Sequence, residues 1–395
     1  MAEVQATQTA LLQKMIAVLA HQVQQCLASA PQGFPHACSD LALETLGHKV
    51  SSIAALAKGH KHRTHPDTAL LFAPPAGLVV SVITQCGASG MVRARACVLL
   101  HRMVACLGLP VSELLAHPGC LAHLLHQSDA SDVDVVVQVL SNFLVEHKEE
   151  SLPLVDFLLP LVVSKFQQLQ EGIEAQAGQQ SGLPSQLDAD RASLQRQYLL
   201  FVQNVAAAGC HEALASPGNA HLLEHIFRGV LLGLQGGGRS SGDPGQGGAG
   251  GVLGIPMRKS ALVILTTLVP PWSRAPVAAD LSAAFSSFLL QQALPSILLD
   301  LTDGHTLNLS DAATHNLLVE VGGLLWTVAS HFGPQVCAEG LASALSSGQG
   351  GRAWPMATVQ MLCQAVQQPG PQINTFKVIP SLGAQVLSCP LVGPK

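Results

Sequence analysis

Apolar residues recur every three or four positions along nearly the whole chain, while alternation at every second position is scarce. That periodicity predicts helices rather than strands. In 189–208 the stripe is Leu194, Tyr198, Phe201, Val202 and Val205; in 90–107 it is Val92, Ala96, Leu99, Met103 and Leu107. The pattern predicts helices near 4–29, 39–58, 69–86, 90–107, 118–126, 131–147, 151–174 and 189–208. Others follow near 219–235, 256–269, 276–290, 309–330, 333–347, 354–367 and 371–387. The stops between them are chemical. Ser131 and Asp132 open a helix after Asp129, Ser310 and Asp311 suit a cap, and Pro334 fits a first turn. Gly209, Gly333 and Gly348 sit where helices end, since glycine tolerates a left-handed cap.

Each such helix has one apolar stripe and needs a partner. Taken in pairs, the units begin near 39, 90, 131, 189, 256, 309 and 354. Spacings of about 40 to 65 residues bracket HEAT-like repeats with insertions. The expected fold is all-α, an α-solenoid (superhelix) of irregular HEAT-like helix pairs, with a compact helical bundle as the alternative. The expected organisation is 1–89 divergent helical repeats, 90–235 HEAT-like repeats, 236–252 a flexible Gly-rich loop and 253–395 C-terminal HEAT-like repeats. Nine of the sixteen residues from 236 to 251 are glycine, so that segment cannot offset its own ordering entropy. No strand is expected before it and no G-K-[ST] occurs in it, which argues against a phosphate loop.

Composition narrows the classes. Of 395 residues 48% are apolar, 11% charged and 4% aromatic. Soluble domains carry about 25% charge; this low charge with high apolar content argues against disorder. A net charge of −5 excludes a globally basic nucleic-acid binder and leaves a local patch open. The ten cysteines include no C-x-x-C, and several fall in apolar helical runs, as buried reduced thiols do. Residues 1–30 are Gln-rich with Lys14 in mid-run and do not read as a signal peptide. Residues 68–92 carry no charge and are long enough to span a bilayer. Pro74, Pro75, Gly77, Ser81, Gln85, Gly87 and Gly90 interrupt them and favour a buried helix plus a turn.

The charges are unevenly placed. From 49 to 102 the cations Lys49, Lys58, Lys61, Arg63, Arg93, Arg95 and Arg102 face one acid, Asp67. From 129 to 190 eleven acids face Lys148 and Lys165. Arg95 and Arg102 share a helix face, while Arg93 points away. A basic stripe of this kind is a footprint for RNA backbone, and a plain solvated surface is the alternative. The turn 59–65, with His60, His62 and His65 among Lys61 and Arg63, lacks the cysteines or acids of a metal site, so phosphate contact is the better reading. His221, Glu224 and His225 match H-x-x-E-H, but nothing else supports zinc, and a solvated helix face is the preferred reading. No G-x-S-x-G or other nucleophile–base set can be assembled, so no enzyme, cofactor, metal or small-molecule substrate is expected.

Five collinear stretches are more specific. Val98-Leu-Leu-His101-Arg102-Met103, Arg196-Gln-Tyr-Leu-Leu-Phe201-Val-Gln203 and Arg258-Lys259-Ser260-Ala-Leu-Val-Ile264-Leu265 are three of them. Leu307-Asn-Leu309-Ser-Asp311-Ala312 and Cys363-Gln364-Ala-Val-Gln367-Gln368-Pro369 complete the set. In this order the chain resembles the C-terminal part of the exportin-T family, tRNA export receptors of the importin-β superfamily. The likeness runs over about 90–386, with 1–89 matching poorly. It implies a HEAT solenoid that binds tRNA cooperatively with Ran-GTP and carries it through nuclear pores, past nucleoporins, from nucleus to cytoplasm. No membrane insertion is expected, from the interruptions within 68–92. The likeness also implies that the N-terminal repeats carrying the superfamily's main Ran contact have no counterpart here. The RNA-binding candidates are Lys58, Lys61, His62, Arg63, Arg95, Arg102, Arg258 and Lys259, the last two entering through the motif match. The alternative is an α-solenoid scaffold that binds only proteins.

Overall fold

The computed structural model describes residues 2–29, 39–60, 66–179, 184–236, 254–273, 279–302, 311–346 and 356–367. The described residues contain helices and turns and no strand. The fold is an all-α solenoid of irregular helix pairs. It divides into two compact units, Met1–Ser181 with Ala208–Ala220, and Gly182–Ala207 with His221–Lys395.

In the first unit the helices are α1 Ala2–Ala28, α2 Asp40–Gly59, α3 Pro66–Cys86, α4 Gly90–Leu107, α5 Val111–Ala116, α6 His123–Gln127, α7 Ala130–His147 and α8 Leu152–Gln179. Helices α2, α4 and α7 stack side by side in one layer; α3, then α5 with α6, then α8 make the other. Helix α1 covers α2 and α3. The direction within the first layer can be read from its contacts. Arg93 of α4 meets Asp132 of α7, and His101 meets Asn142, so α4 and α7 run in the same sense. That is the relation between equivalent helices of successive repeats.

In the second unit α9 is Pro184–Ala207; the short α10, His211–Leu214, belongs to the first unit. There follow α11 Leu223–Leu234, α12 Gly254–Trp272, α13 Ala279–Phe288, α14 Leu294–Thr302, α15 Ala312–Phe332, α16 Pro334–Ser346 and α17 Met356–Gln367. Helices α9, α12 and α15 form one layer, and α11, α13–α14 and α16 the other, with α17 laid on α16. Four aromatic rings join this core: Phe227 stacks on Phe288 at 4.6 Å, and Trp272 meets Phe285 edge-on at 4.9 Å. Such pairs add about 0.5–1.5 kcal/mol beyond their buried area.

Helix pairs start at Asp40, Gly90, Ala130, Pro184, Gly254 and Ala312, close to the starts that periodicity gives. Three helices are additional to that reading. α5 and α10 have six and four residues, too few to show a period. α14 continues α13 through a wide turn at Leu289–Ala293. Pro295 lies just beyond, and the wider turn absorbs its missing amide. The expected helix at 371–387, the cap Ser310, Gly348 and the Gly-rich segment from 237 onward lie outside the described residues.

Local chemistry places the other boundaries. Asp129 caps α7: its carboxylate accepts from the Asp132 amide at 3.0 Å, and Asp132 accepts in return from the Asp129 amide at 3.5 Å. That reciprocal pair is a capping box. Asp311 occupies the N-cap position of α15 and Pro334 the first position of α16. Gly209 and Gly333 have φ of 80° and 97°, the left-handed region that ends a helix.

By length and composition alone, Thr68–Cys86, Asp132–Gln176 and Asp280–Leu298 could cross a membrane. Within the fold, α3 runs through Pro74 and Pro75 without a break and buries Leu71, Phe72, Val79, Val82 and Ile83, and a turn separates it from α4.

Candidate nucleic-acid interface

The outer face of the α2–α4 pair holds the described part of the basic region. Arg95 is half-buried on α4, and its Nη1 lies 3.3 Å from His48 Nδ1 and 3.4 Å from Ser51 Oγ, both on α2. A guanidinium only donates, so Nδ1 is the accepting nitrogen. His48 Nε2 is then the protonated one, 3.6 Å from Glu44 Oε1. Ser51 and Arg95 are 44 residues apart in sequence, and Gly47 sits against Met91 at the same separation. The two helices therefore run in the same sense, and that register sets Lys58 level with Arg102. Lys58 is exposed and Arg102 half-exposed. Seven helical residues separate Arg95 from Arg102, about 10 Å of axial rise. Three cations thus share one face, with Ser52, Ala55, Ala94 and Val98 exposed between them.

The other expected members fall elsewhere. Lys61, His62 and Arg63 lie outside the described residues. Lys259 is exposed on α12, its Nζ 3.2 Å from Glu320 Oε1 of α15. Arg258 requires a correction. It is 2% exposed, and its guanidinium donates to the carbonyls of Leu234 at 3.0 Å and Gln235 at 3.5 Å. It closes the C-terminus of α11, whose last carbonyls have no partner within the helix. A buried, committed guanidinium offers nothing to RNA.

The sequence-level charge count also changes. Arg93 is 7% exposed; it pairs with Asp132 and donates to the carbonyls of Gly87 at 2.8 Å and Ala88 at 3.1 Å. One cation of the basic stretch is therefore neutralised by one acid of the acidic stretch, inside the first unit. Lys49 donates to Gln22 of α1 at 2.8 Å. Lys165 of α8 is buried beside Arg93, with its Nζ 3.4 Å from the His126 carbonyl. Burial lowers its pKa first and Arg93 lowers it further, against the pull of Asp129 and Asp132.

No group of three or more metal-ligating side chains occurs among the described residues. His221, Glu224 and His225 are exposed, and Glu224 is held by Arg228 at 3.0 Å. His221 lies in a tight turn before α11, so the two histidines do not share one regular helix. The thiols are sequestered: burial pushes Cys97, Cys120 and Cys337 up to about 12 and Cys210 to about 11. At neutral pH they stay protonated and are poor nucleophiles.

What remains is a helical-repeat protein with a small basic face on one layer. The chain belongs to the exportin-T family, whose model matches residues 2–376. Over 292 residues it is 28% identical to Exportin-T of Danio rerio, a match that covers 73% of this chain and 27% of that protein. The chain therefore spans about a quarter of the length of the curated relative it matches. The family match begins at residue 2, so it takes in α1, α2 and α3, which the motif resemblance left outside.

The sequence pointed to Arg95 and Arg102 through their shared face. It gave no sign of His48 and Ser51, because those partners come from a helix some 44 positions away. An interior glycine in α2, Gly47, is the local feature that could have pointed to that packing.

Proposed function

We propose that this chain acts in a nuclear export receptor for tRNA, binding the RNA together with Ran-GTP and carrying it through nuclear pores to the cytoplasm. Family membership supports the transport role. The observation that carries the RNA reading is the shared face of Lys58, Arg95 and Arg102, a phosphate-contacting arrangement in an otherwise charge-poor protein. Lys61, His62 and Arg63 follow directly after α2 in sequence and extend the candidate set; Lys259 remains a candidate on α12. Recognition by such a face is of backbone and shape, since A-form RNA hides its major-groove edges. The receptor itself needs no catalytic residue, cofactor or membrane insertion. Nucleoporins are partners of the same cycle, and the protein divides its time between nucleus and cytoplasm.

The test is tRNA binding at two salt concentrations, with and without Ran-GTP. Tighter binding with Ran-GTP and a steep salt dependence are expected. Charge reversal at Lys58, Arg95 and Arg102 should weaken binding and flatten the slope by about 1 per lost contact. An unchanged slope removes this face from the reading. Absence of tRNA binding under all four conditions, together with Ran-independent capture of a protein partner, replaces it with a protein-only scaffold.

A further inference from the structure

We infer that Gly47 is a positioning residue of the RNA-contacting face, there to let the Arg95 side chain lie across α2 and hold its guanidinium in one orientation. The inference rests on the tRNA reading above. Gly47 is buried in the middle of α2, where glycine is a poor helix former. Its backbone is ordinary helix, so conformation does not explain it. Space does. A Cβ at Gly47 would stand 2.8 Å from Arg95 Cδ, 3.0 Å from Met91 Sδ and 3.2 Å from Arg95 Nε. By contrast, a Cβ at Gly59, the last residue of the same helix, would meet nothing within 4 Å. The stem of Arg95 thus occupies the place of the missing side chain, and this seats Nη1 against His48 and Ser51. Met91 closes the groove one turn before Arg95.

A guanidinium held this way presents its free donors in a fixed direction, level with the first turn of the strip that continues to Lys58 and Arg102. A planar fork with fixed orientation suits a phosphate group better than a swinging point charge. A methyl group at position 47 would lift the stem off α2 and re-aim the fork while leaving every charge in place.

Binding of labelled tRNA with Ran-GTP at several salt concentrations tests this, on Gly47→Ala, Arg95→Ala and the double variant. Gly47→Ala should weaken binding and lower the salt slope by about 1, as Arg95→Ala does, and the double variant should add nothing. Val50→Ala, a cavity in the same helix with Gly47 and Arg95 both kept, controls for stability and should leave the slope unchanged. A wild-type slope in Gly47→Ala beside a reduced one in Arg95→Ala overturns the inference. A wild-type slope in Arg95→Ala overturns the reading of the face instead. If Gly47→Ala does not fold, Arg95→Lys decides: it keeps the charge and loses the fork, so undiminished binding overturns the inference and weakened binding supports it.

Discussion

Arg93 in the first unit and Arg258 in the second occupy matching places and are used differently. Each sits in the first turns of a helix, α4 or α12, and reaches back to carbonyls before it: those of Gly87 and Ala88 in the turn after α3, and those of Leu234 and Gln235 at the end of α11. Arg93 also pairs with Asp132, which lies in the first turn of α7 and completes its capping box. One side chain thus ties three consecutive repeats. Arg258 touches the C-terminus of α11 and is enclosed by glycine: a Cβ on Gly236 or Gly254 would come within 2.8 Å of its Nη1. Gly236 also has φ of 74°, which a side chain rarely adopts. The first device joins repeats through a buried charge pair, the second closes one hairpin through space reserved by glycine. In a protein with 20 Lys and Arg among 395 residues, both divert cations from the surface to the frame.

The contrast can be broken experimentally. Arg93→Ala strands Asp132 and removes the donor from the Gly87 and Ala88 carbonyls, so a loss of about 3–5 kcal/mol is expected, the size of a broken buried ion pair. Urea denaturation would measure it, and a loss below about 1 kcal/mol would reject the three-repeat tie. Arg258→Ala removes charged bonds to the carbonyls of Leu234 and Gln235, and about 2–3 kcal/mol is expected in the same measurement. If Arg258→Ala costs more than Arg93→Ala, the ranking of the two devices is wrong.

Lys165 sharpens the first region further. Its folded pKa lies below 10.5, so the unfolded chain holds that proton more tightly. Its cost is fully present below the folded pKa and fades as pH rises towards 10.5. Lys165→Met should therefore be more stable than wild type at neutral pH in urea denaturation, with the gain shrinking as pH rises through that window. A variant destabilised at pH 7 would show that Asp129 and Asp132 hold Lys165 more strongly than burial opposes it. The smallest effect belongs to the second region's surface. Lys259→Ala should change stability by less than about 0.5 kcal/mol, because its pair with Glu320 is exposed. A loss of 1 kcal/mol or more in thermal melts would make that pair part of the frame.

Much of the frame was legible in the chain. A 3.6-residue period survives wherever a helix is long enough, so α2, α4, α7, α9 and α15 could be read directly. Short connectors such as α5 and α10 carry no period, and the wide turn before α14 is marked in the sequence by Pro295 and by no break in the period. The basic strip was legible in part. Arg95 and Arg102 share a face by spacing alone, whereas the motif match placed Arg258 among RNA contacts because a motif records identity and not direction. A core arginine and a surface arginine look alike in a sequence.

The sequence by itself determined that the chain is helical, that its helices pair, and where most pairs begin, since periodicity, caps and glycine stops act within a few residues. Only the tertiary structure decided which cations reach solvent. Arg93, Arg258 and Lys165 are drawn inward by carbonyls and carboxylates contributed from other helices, and Arg95 is seated by a glycine on another helix. Those partners meet through the stacking of repeats, and a local pattern cannot carry a contact made tens of residues away.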